Sequence, residues 1–198
     1  MMDHNYHYII AGLPDIAPDM NGNAPTYESI VASIKEQLSE RDLRLVDWLE
    51  YGFDEAQLTD HFYHSVARQK NSFLSSWYNF DLQLRNAKVV YLEKKAGKKG
   101  TSATLGEWNP EEFEDYARLQ QIFDISNLIE REIALDKLRW AKISDINLYE
   151  YFTINTILGF LTKCKIADRW NKLDKATGAK LFETLVQEVR GTFKGIEI

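Results

Sequence analysis

The sequence predicts an all-α protein, a helical bundle of about seven or eight helices in one domain. Apolar and aromatic residues recur at spacings of three and four along most of the chain, which is the period of a helix with a buried face. No run of alternating apolar and polar residues follows Pro25, so a sheet is not expected. With 198 residues, 44% of them hydrophobic, the chain is long enough for one compact core.

The N-terminal segment leaves its secondary structure open. Residues 6–14 are aromatic and aliphatic, and they fit either a short strand or one or two turns of helix. Pro18, Gly22 and Pro25 then disfavour a helix, so residues 15–25 are expected to form a surface loop.

Three helices are expected to follow this loop. Thr26 is a residue type that caps helices, and an apolar stripe at helical spacing follows it. Ser39 and Asp42 resemble a capping box with the shorter acid, and Gly52 is expected to end the second helix. Residues 54–69 are predicted to form the third.

The longest helix is predicted over residues 71–96, where Gly97 would end it. Residues 98–109 lack periodicity and contain glycine, serine and threonine, which is typical of a flexible connection. This connection would join two closely packed sub-lobes, residues 1–97 and 110–198, within a single domain of residues 1–198.

Further helices are expected after the connection. Pro110 suits the first position of a helix, and the acids that follow it suit the positive end of the helix dipole. Apolar residues over 129–140 mark a helix that ends near Asn147. Residues 148–170 are apolar around most of the circumference and predict a central helix, and residues 174–193 predict a last one.

The charge, the apolar runs and the cysteine content indicate which partners and which cellular compartment are expected. The formal charge is -6 with both signs interspersed, so nucleic acid is not an expected partner. The most apolar run, residues 148–161, is interrupted by charge and is shorter than the roughly 20 residues that span a bilayer, so direct membrane insertion is not expected. The single cysteine, Cys164, and an N-terminus without a basic region favour a cytoplasmic protein.

The sequence contains no clear catalytic motif. His61 and His64 share a helix face beside Asp60, so a metal-dependent helical hydrolase is one alternative, but third and fourth ligands are missing. Cys164 lies in an apolar stretch where a thiol usually serves packing. No nucleophile elbow and no phosphate-binding loop is present. We therefore predict no catalytic residue, no metal and no cofactor.

Three pairs of residues are candidates for binding a partner. Tyr6 and Tyr8 belong to the aromatic N-terminus, and Arg85 and Asn86 place polar groups inside the longest helix. The second pair could hydrogen-bond to neighbouring backbone or to a partner, and we favour the backbone. Lys94 and Lys95 begin the one basic cluster, which fits an acidic protein surface, anionic lipid or simply the negative end of the helix.

Several short motifs resemble those of a bacterial family encoded within V-type (V/A-type) ATPase operons. They are residues 6–15 (YHYIIAGLPD), residues 77–80 (WYNF) with 84–86 (LRN), and residues 169–174 (RWNKLD) with Gly178 and Phe182. The family is in turn similar to a shortened C subunit, called d in eukaryotes, which seats the central shaft on the membrane rotor ring.

The resemblance implies a non-catalytic adaptor or assembly factor near the central stalk of a V-type ATPase. Its partners would be the central shaft or the membrane rotor ring, and it would lie in the cytoplasm, peripheral to the membrane through those subunits. A free regulatory module that binds the same ATPase transiently is an alternative from the same observations.

Overall fold

Eight α-helices and two short 3-10 helices, without a strand, make up the parts of the chain that the computed structural model describes, residues 6–17, 26–97, 104–106 and 108–172. This confirms the predicted all-α fold. The helices are α1 His7–Ala11, α2 Tyr27–Lys35, α3 Glu40–Tyr51, α4 Asp60–Ala67, α5 Ser72–Lys95, α6 Tyr116–Phe123, α7 Leu128–Ile146 and α8 Ile154–Asn171, and the 3-10 helices are Glu55–Gln57 and Pro110–Glu112.

Most helix starts are fixed by a local side-chain cap. The Ser39 hydroxyl accepts a hydrogen bond from the Asp42 amide, as the capping box predicted. Asn71 accepts one from the Leu74 amide at the start of α5. Thr26 precedes α2 as predicted but makes no such cap; instead, a carboxylate of α8 accepts from the first amide of α2 (Tyr27 N to Asp168 Oδ1, 3.3 Å).

The prediction of one helix over residues 54–69 is wrong. Asp54 caps the 3-10 helix Glu55–Gln57, and the Thr59 hydroxyl caps α4 by accepting from the Phe62 amide. Two caps five residues apart start two elements, and the chain leaves helical geometry between them. The apolar stripe of α4 is correspondingly short.

The structure also defines the N-terminal segment and the region around Pro110. Residues 6–14 contain the short helix α1 and no strand, which resolves the open alternative. Pro110 occupies the first turn of a 3-10 helix, and the α-helix predicted to begin there starts later, at Tyr116. Of the predicted loop over residues 15–25, only residues 15–17 are among those described, and they form neither helix nor strand.

The central helix predicted over residues 148–170 begins six residues later than expected, at Ile154. Residues 148–153 form turns and bends that carry exposed side chains. The helix predicted over residues 174–193 and most of the connection predicted over 98–109 lie outside the described residues.

The core is organised around α5 and α8. Helix α5 packs against α3, α4, α6, α7 and α8, and α8 also packs against α2, α3 and α7. Fully buried side chains from both helices meet there, including Phe73, Leu74, Leu158 and Leu161. Helices of both predicted sub-lobes thus contact each other, whereas the predicted division itself stays a prediction. Within the described helices, no segment has the length and apolarity to cross a bilayer.

Candidate protein-binding surface

The most exposed aromatic side chains lie in the segment just before α8 and near the start of α1. Tyr149 is 83% exposed, Tyr151 66% and Tyr8 86%, and Leu148 and Phe152 are exposed beside them. A group of apolar and aromatic side chains that remains exposed to solvent is typical of a surface that binds other proteins. We call Tyr8, Leu148, Tyr149, Tyr151 and Phe152 the aromatic surface.

Two contacts join α1 to the segment before α8. The Tyr6 amide donates to the Phe152 carbonyl at 2.9 Å. The His7 ring lies over the Phe152 ring, with centroids 4.5 Å apart and planes tilted by 31°. Tyr8 follows His7 along α1, so the two segments that carry these exposed aromatic side chains are joined through Tyr6, His7 and Phe152.

Tyr6 attaches α1 to the rest of the bundle. Its phenol is buried and donates to the Asp42 carboxylate, which also accepts from the Ser39 hydroxyl at 2.9 Å. Burial, together with the Asp42 hydrogen bond and charge, raises the pKa of Tyr6, so the phenol stays protonated and acts as a donor. Of the two tyrosines predicted to bind a partner, Tyr6 therefore holds α1 on the bundle, and Tyr8 is the one that is exposed and available to a partner.

A network of hydrogen bonds between polar side chains holds the segment before α8 in place. Asn155 is buried, and its amide nitrogen donates to Glu150 and to the Ser72 hydroxyl, both at 2.9 Å. Its amide oxygen accepts from Asn71 at 2.7 Å, and its carbonyl accepts from Asn147 at 3.0 Å. These bonds connect the segment to the start of α5 and fix the backbone that carries the aromatic surface.

Gly159 makes room for this network. A Cβ atom at this position would lie 2.0 Å from the Asn147 amide nitrogen and 3.2 Å from the Ile143 side chain. Because only glycine permits that approach, α8 can lie directly against the end of α7.

A cavity of about 470 Å³ opens beside Tyr8, between α1 and α2. Its walls are mainly apolar, with serine hydroxyls on the α2 side, and include Leu13, Ile30 and Ile34. Such a depression next to the exposed Tyr8 ring is suited to receive an apolar side chain of a partner.

In the second predicted pair, Asn86 makes its hydrogen bonds within the molecule. Asn86 is buried and makes two hydrogen bonds with the backbone of Leu105, each 2.9 Å long, one as donor and one as acceptor. It therefore ties residues 104–106 to α5, as we expected for an intramolecular role. Arg85 is half-buried beside Tyr63 and Asp81.

The lysine pair does not lie with the aromatic surface. Lys94 and Lys95 are exposed at the end of α5, and the Lys95 amine lies 5.7 Å from the centroid of the Tyr91 ring. Ser72, which touches the base of the aromatic surface, begins the same helix, so the two ends are roughly 34 Å apart along its axis. One compact partner interface would not include both.

The structure also locates the histidine pair and the cysteine that the sequence analysis considered for chemistry. His61 and His64 are exposed on α4, and His64 lies 3.6 Å from Asp60. The residues described here include no group of three or more side chains placed to hold a metal ion. Cys164 is fully buried, and burial followed by the charge of Asp168 raises its pKa to about 12. Its thiol is protonated at neutral pH and serves packing.

Sequence reasoning found Tyr8 but missed the residues around Tyr151. The aromatic run over 148–152 was assigned to a buried helix because its apolar content continues into α8. Thr153 precedes the regular part of that stripe, and a threonine at this place is a signal that could have located the true start.

The comparisons with known proteins concern the second half of the chain. Residues 105–192 match a family described as "Protein of unknown function (DUF2764)". No curated protein and no solved structure matches the chain. The match includes α6, α7 and α8 and hence the segment that carries Tyr149 and Tyr151. Over these residues, the chain is similar to a family whose function is not known.

Proposed function

We propose that this protein is a non-catalytic adaptor that binds other proteins through the aromatic surface, as a subunit or assembly factor of a V-type ATPase near its central stalk. The observation that carries the binding role is the exposure of Tyr8, Tyr149 and Tyr151 on a backbone held by buried hydrogen bonds. The ATPase as the partner rests on the sequence motifs that resemble the operon-encoded family.

The aromatic surface has the chemistry of an interface centre. Tyrosine offers a large apolar ring and a hydroxyl with few rotatable bonds, so little side-chain entropy is lost on binding. The hydrogen bonds around Asn155 lower the entropic cost of binding further, because they already order the segment before a partner binds. The cavity beside Tyr8 supplies a depression for a partner side chain.

The expected partners are the central shaft or the membrane rotor ring, which would hold the protein at the membrane from the cytoplasmic side. An adaptor at this place transmits force, which favours a body of long packed helices. Helices α5 and α8 supply such a body because each contacts several neighbours. The stoichiometry in the isolated complex separates a stable subunit from a free regulatory module.

Co-purification tests the proposal. A tagged protein expressed from its own operon should bring down ATPase subunits in mild detergent. Replacing Tyr149 and Tyr151 together by serine should lower this recovery by at least about tenfold, because two exposed aromatic anchors are lost. Tyr51→Ser is the matched control, since Tyr51 is an exposed tyrosine at the far end of α3.

Two outcomes contradict the proposal in distinguishable ways. Absence of ATPase subunits from the wild-type eluate rejects the ATPase as the partner. Equal recovery with the double variant and with Tyr51→Ser rejects the aromatic surface as the site of contact. Circular dichroism of each variant confirms that its helices are intact.

A further inference from the structure

A second cavity, of about 420 Å³, opens between α3 and α4. Its volume lies within the range of sites that bind small molecules. Trp48 and Tyr51 line it from α3, and His61, Phe62 and Ser65 line it from α4. Residues three or four positions apart share a helix face, so each helix turns one face toward this cavity. We call it the α3–α4 pocket.

Three aromatic rings form the apolar wall of the α3–α4 pocket. Phe62 is buried, and the centroid of its ring lies 6.0 Å from that of Trp48 and 5.6 Å from that of Tyr51. The two ring pairs are tilted by only 34° and 31°. Neighbouring rings in this arrangement offer a broad apolar surface against which a flat aromatic molecule can pack.

Other contacts hold two of these rings in place. The Phe62 ring packs edge-on against the buried Tyr78 ring, with centroids 4.9 Å apart and planes at 88°. The Tyr51 phenol donates a hydrogen bond to Gln57 Oε1 at 2.6 Å. Because these contacts limit the rotation of both rings, a ligand would lose little binding energy to the ordering of the wall.

The charged groups of the pocket favour an anionic ligand. Asp47 lines the pocket but is already paired with Lys35 at 3.0 Å. Arg44 also lines it, is exposed, and forms no ion pair with any acid among the residues that the structure describes. His61 can donate a ring N–H even when it is neutral. The charge that is available to a ligand is therefore the positive charge of Arg44.

We propose that the α3–α4 pocket binds a small aromatic carboxylate. The ring of the ligand packs on Phe62 beside Trp48 and Tyr51, and its carboxylate accepts hydrogen bonds from the Arg44 guanidinium, whose planar fork matches a carboxylate. An organic cation would also find aromatic rings here, but the charge of Arg44 would repel it. This inference is independent of the proposed adaptor function, because it uses no residue of the aromatic surface.

Ligand-observed NMR titrations of the full chain test the proposal. Naphthoate is the probe, naphthamide is its neutral counterpart, and choline is the cationic comparison. Wild type is expected to bind naphthoate about fivefold more tightly than naphthamide, which is the upper range for an exposed ion pair, and to show no saturable binding of choline. Equal affinities for the two naphthalene probes, no saturable binding of naphthoate, or saturable binding of choline overturns the proposal.

Arg44→Gln tests the assigned position of the carboxylate. This variant should bind naphthoate about fivefold more weakly than wild type and naphthamide equally well, because only the ion pair is lost. Arg118→Gln is the matched control, since Arg118 is an exposed arginine of α6 that does not line the pocket. An unchanged affinity of Arg44→Gln for naphthoate, or the same loss in both variants, contradicts the role of Arg44.

Ser65→Leu tests whether the probes bind in this pocket. Leucine at this position adds apolar volume to the lining and should abolish the binding of both naphthoate and naphthamide. Ser65→Ala removes the hydroxyl without filling the pocket and should bind both probes like wild type. Circular dichroism checks that the helices of each variant are intact. Full binding of naphthoate by a folded Ser65→Leu variant would locate the probe elsewhere and overturn the proposal.

Discussion

At the scale of single residues, close contacts explain positions that are otherwise unremarkable. Gly52 ends α3 with φ of -77°, which is ordinary for any residue. Its importance is the space that it leaves for Tyr78, since a Cβ atom would lie 2.1 Å from the phenol oxygen. That phenol is buried and donates to the Leu49 carbonyl at 2.7 Å, which joins α5 to the last turn of α3.

Gly52→Ala is therefore expected to destabilise the protein by about 1–3 kcal/mol, because the added methyl group must displace a buried ring. Urea unfolding followed by circular dichroism measures the change. Gly12→Ala is the control, since the nearest atom to its added Cβ is 3.5 Å away. Equal unfolding midpoints for the two variants would show that the bundle absorbs the methyl group without cost.

The sequence located Gly52 correctly as the end of a helix but not for the physical reason that operates. A glycine after an apolar stripe predicts a left-handed C-terminal residue, as Gly97 is with φ of +72°. The clash that excludes a side chain at Gly52 comes from a tyrosine 26 positions along the chain, and no local pattern contains that distance.

At the scale of elements, prediction succeeded where the determinants are local. The bounds expected for α5, residues 71–96, agree closely with Ser72–Lys95, because the Asn71 cap and Gly97 lie next to the ends that they set. The start of α8 was misplaced because it depends on Asn155 bonding to the start of α5, more than eighty residues away in sequence. Residues 148–152 of the aromatic surface were assigned to a buried helix for the same reason.

The attachment of residues 104–106 to α5 gives a prediction at this scale. Asn86→Ala removes both hydrogen bonds to Leu105 and leaves a peptide group without its partner, which costs about 1–3 kcal/mol. Limited proteolysis should cut near Leu105 faster than in wild type, and the urea midpoint should fall. Asn79→Ala, at an exposed position of the same helix, should change neither. Unchanged cleavage in Asn86→Ala would mean that other contacts hold this segment.

At the scale of the whole molecule, buried tyrosines connect successive helices of the bundle. Tyr27 of α2 donates to Glu50 of α3 at 3.2 Å, and Tyr63 of α4 donates to Asp81 of α5. Burial, followed in both by the charge of the carboxylate, raises the pKa of each phenol far above its ordinary value. Their hydrogen bonds therefore require the protonated form.

This arrangement predicts a loss of stability at alkaline pH. The unfolded tyrosines release protons near pH of about 10, whereas the folded ones retain them. Their contribution is therefore complete below that pH and is lost as pH rises toward the folded pKa values. Urea midpoints measured across this range should fall, and Tyr63→Phe should fall less steeply than the control Tyr149→Phe. Parallel curves for the two variants would exclude Tyr63 as a source of the effect.

The hydrogen bonds of Asn155 also bear on how a partner would be captured. Because these bonds already hold the segment that presents Tyr149 and Tyr151, docking would need no folding step on this side of the interface. The heat-capacity change of association would then reflect only the apolar area covered, without the larger contribution that accompanies the ordering of a chain. Diffusion and orientation, not loop closure, would set the rate of encounter.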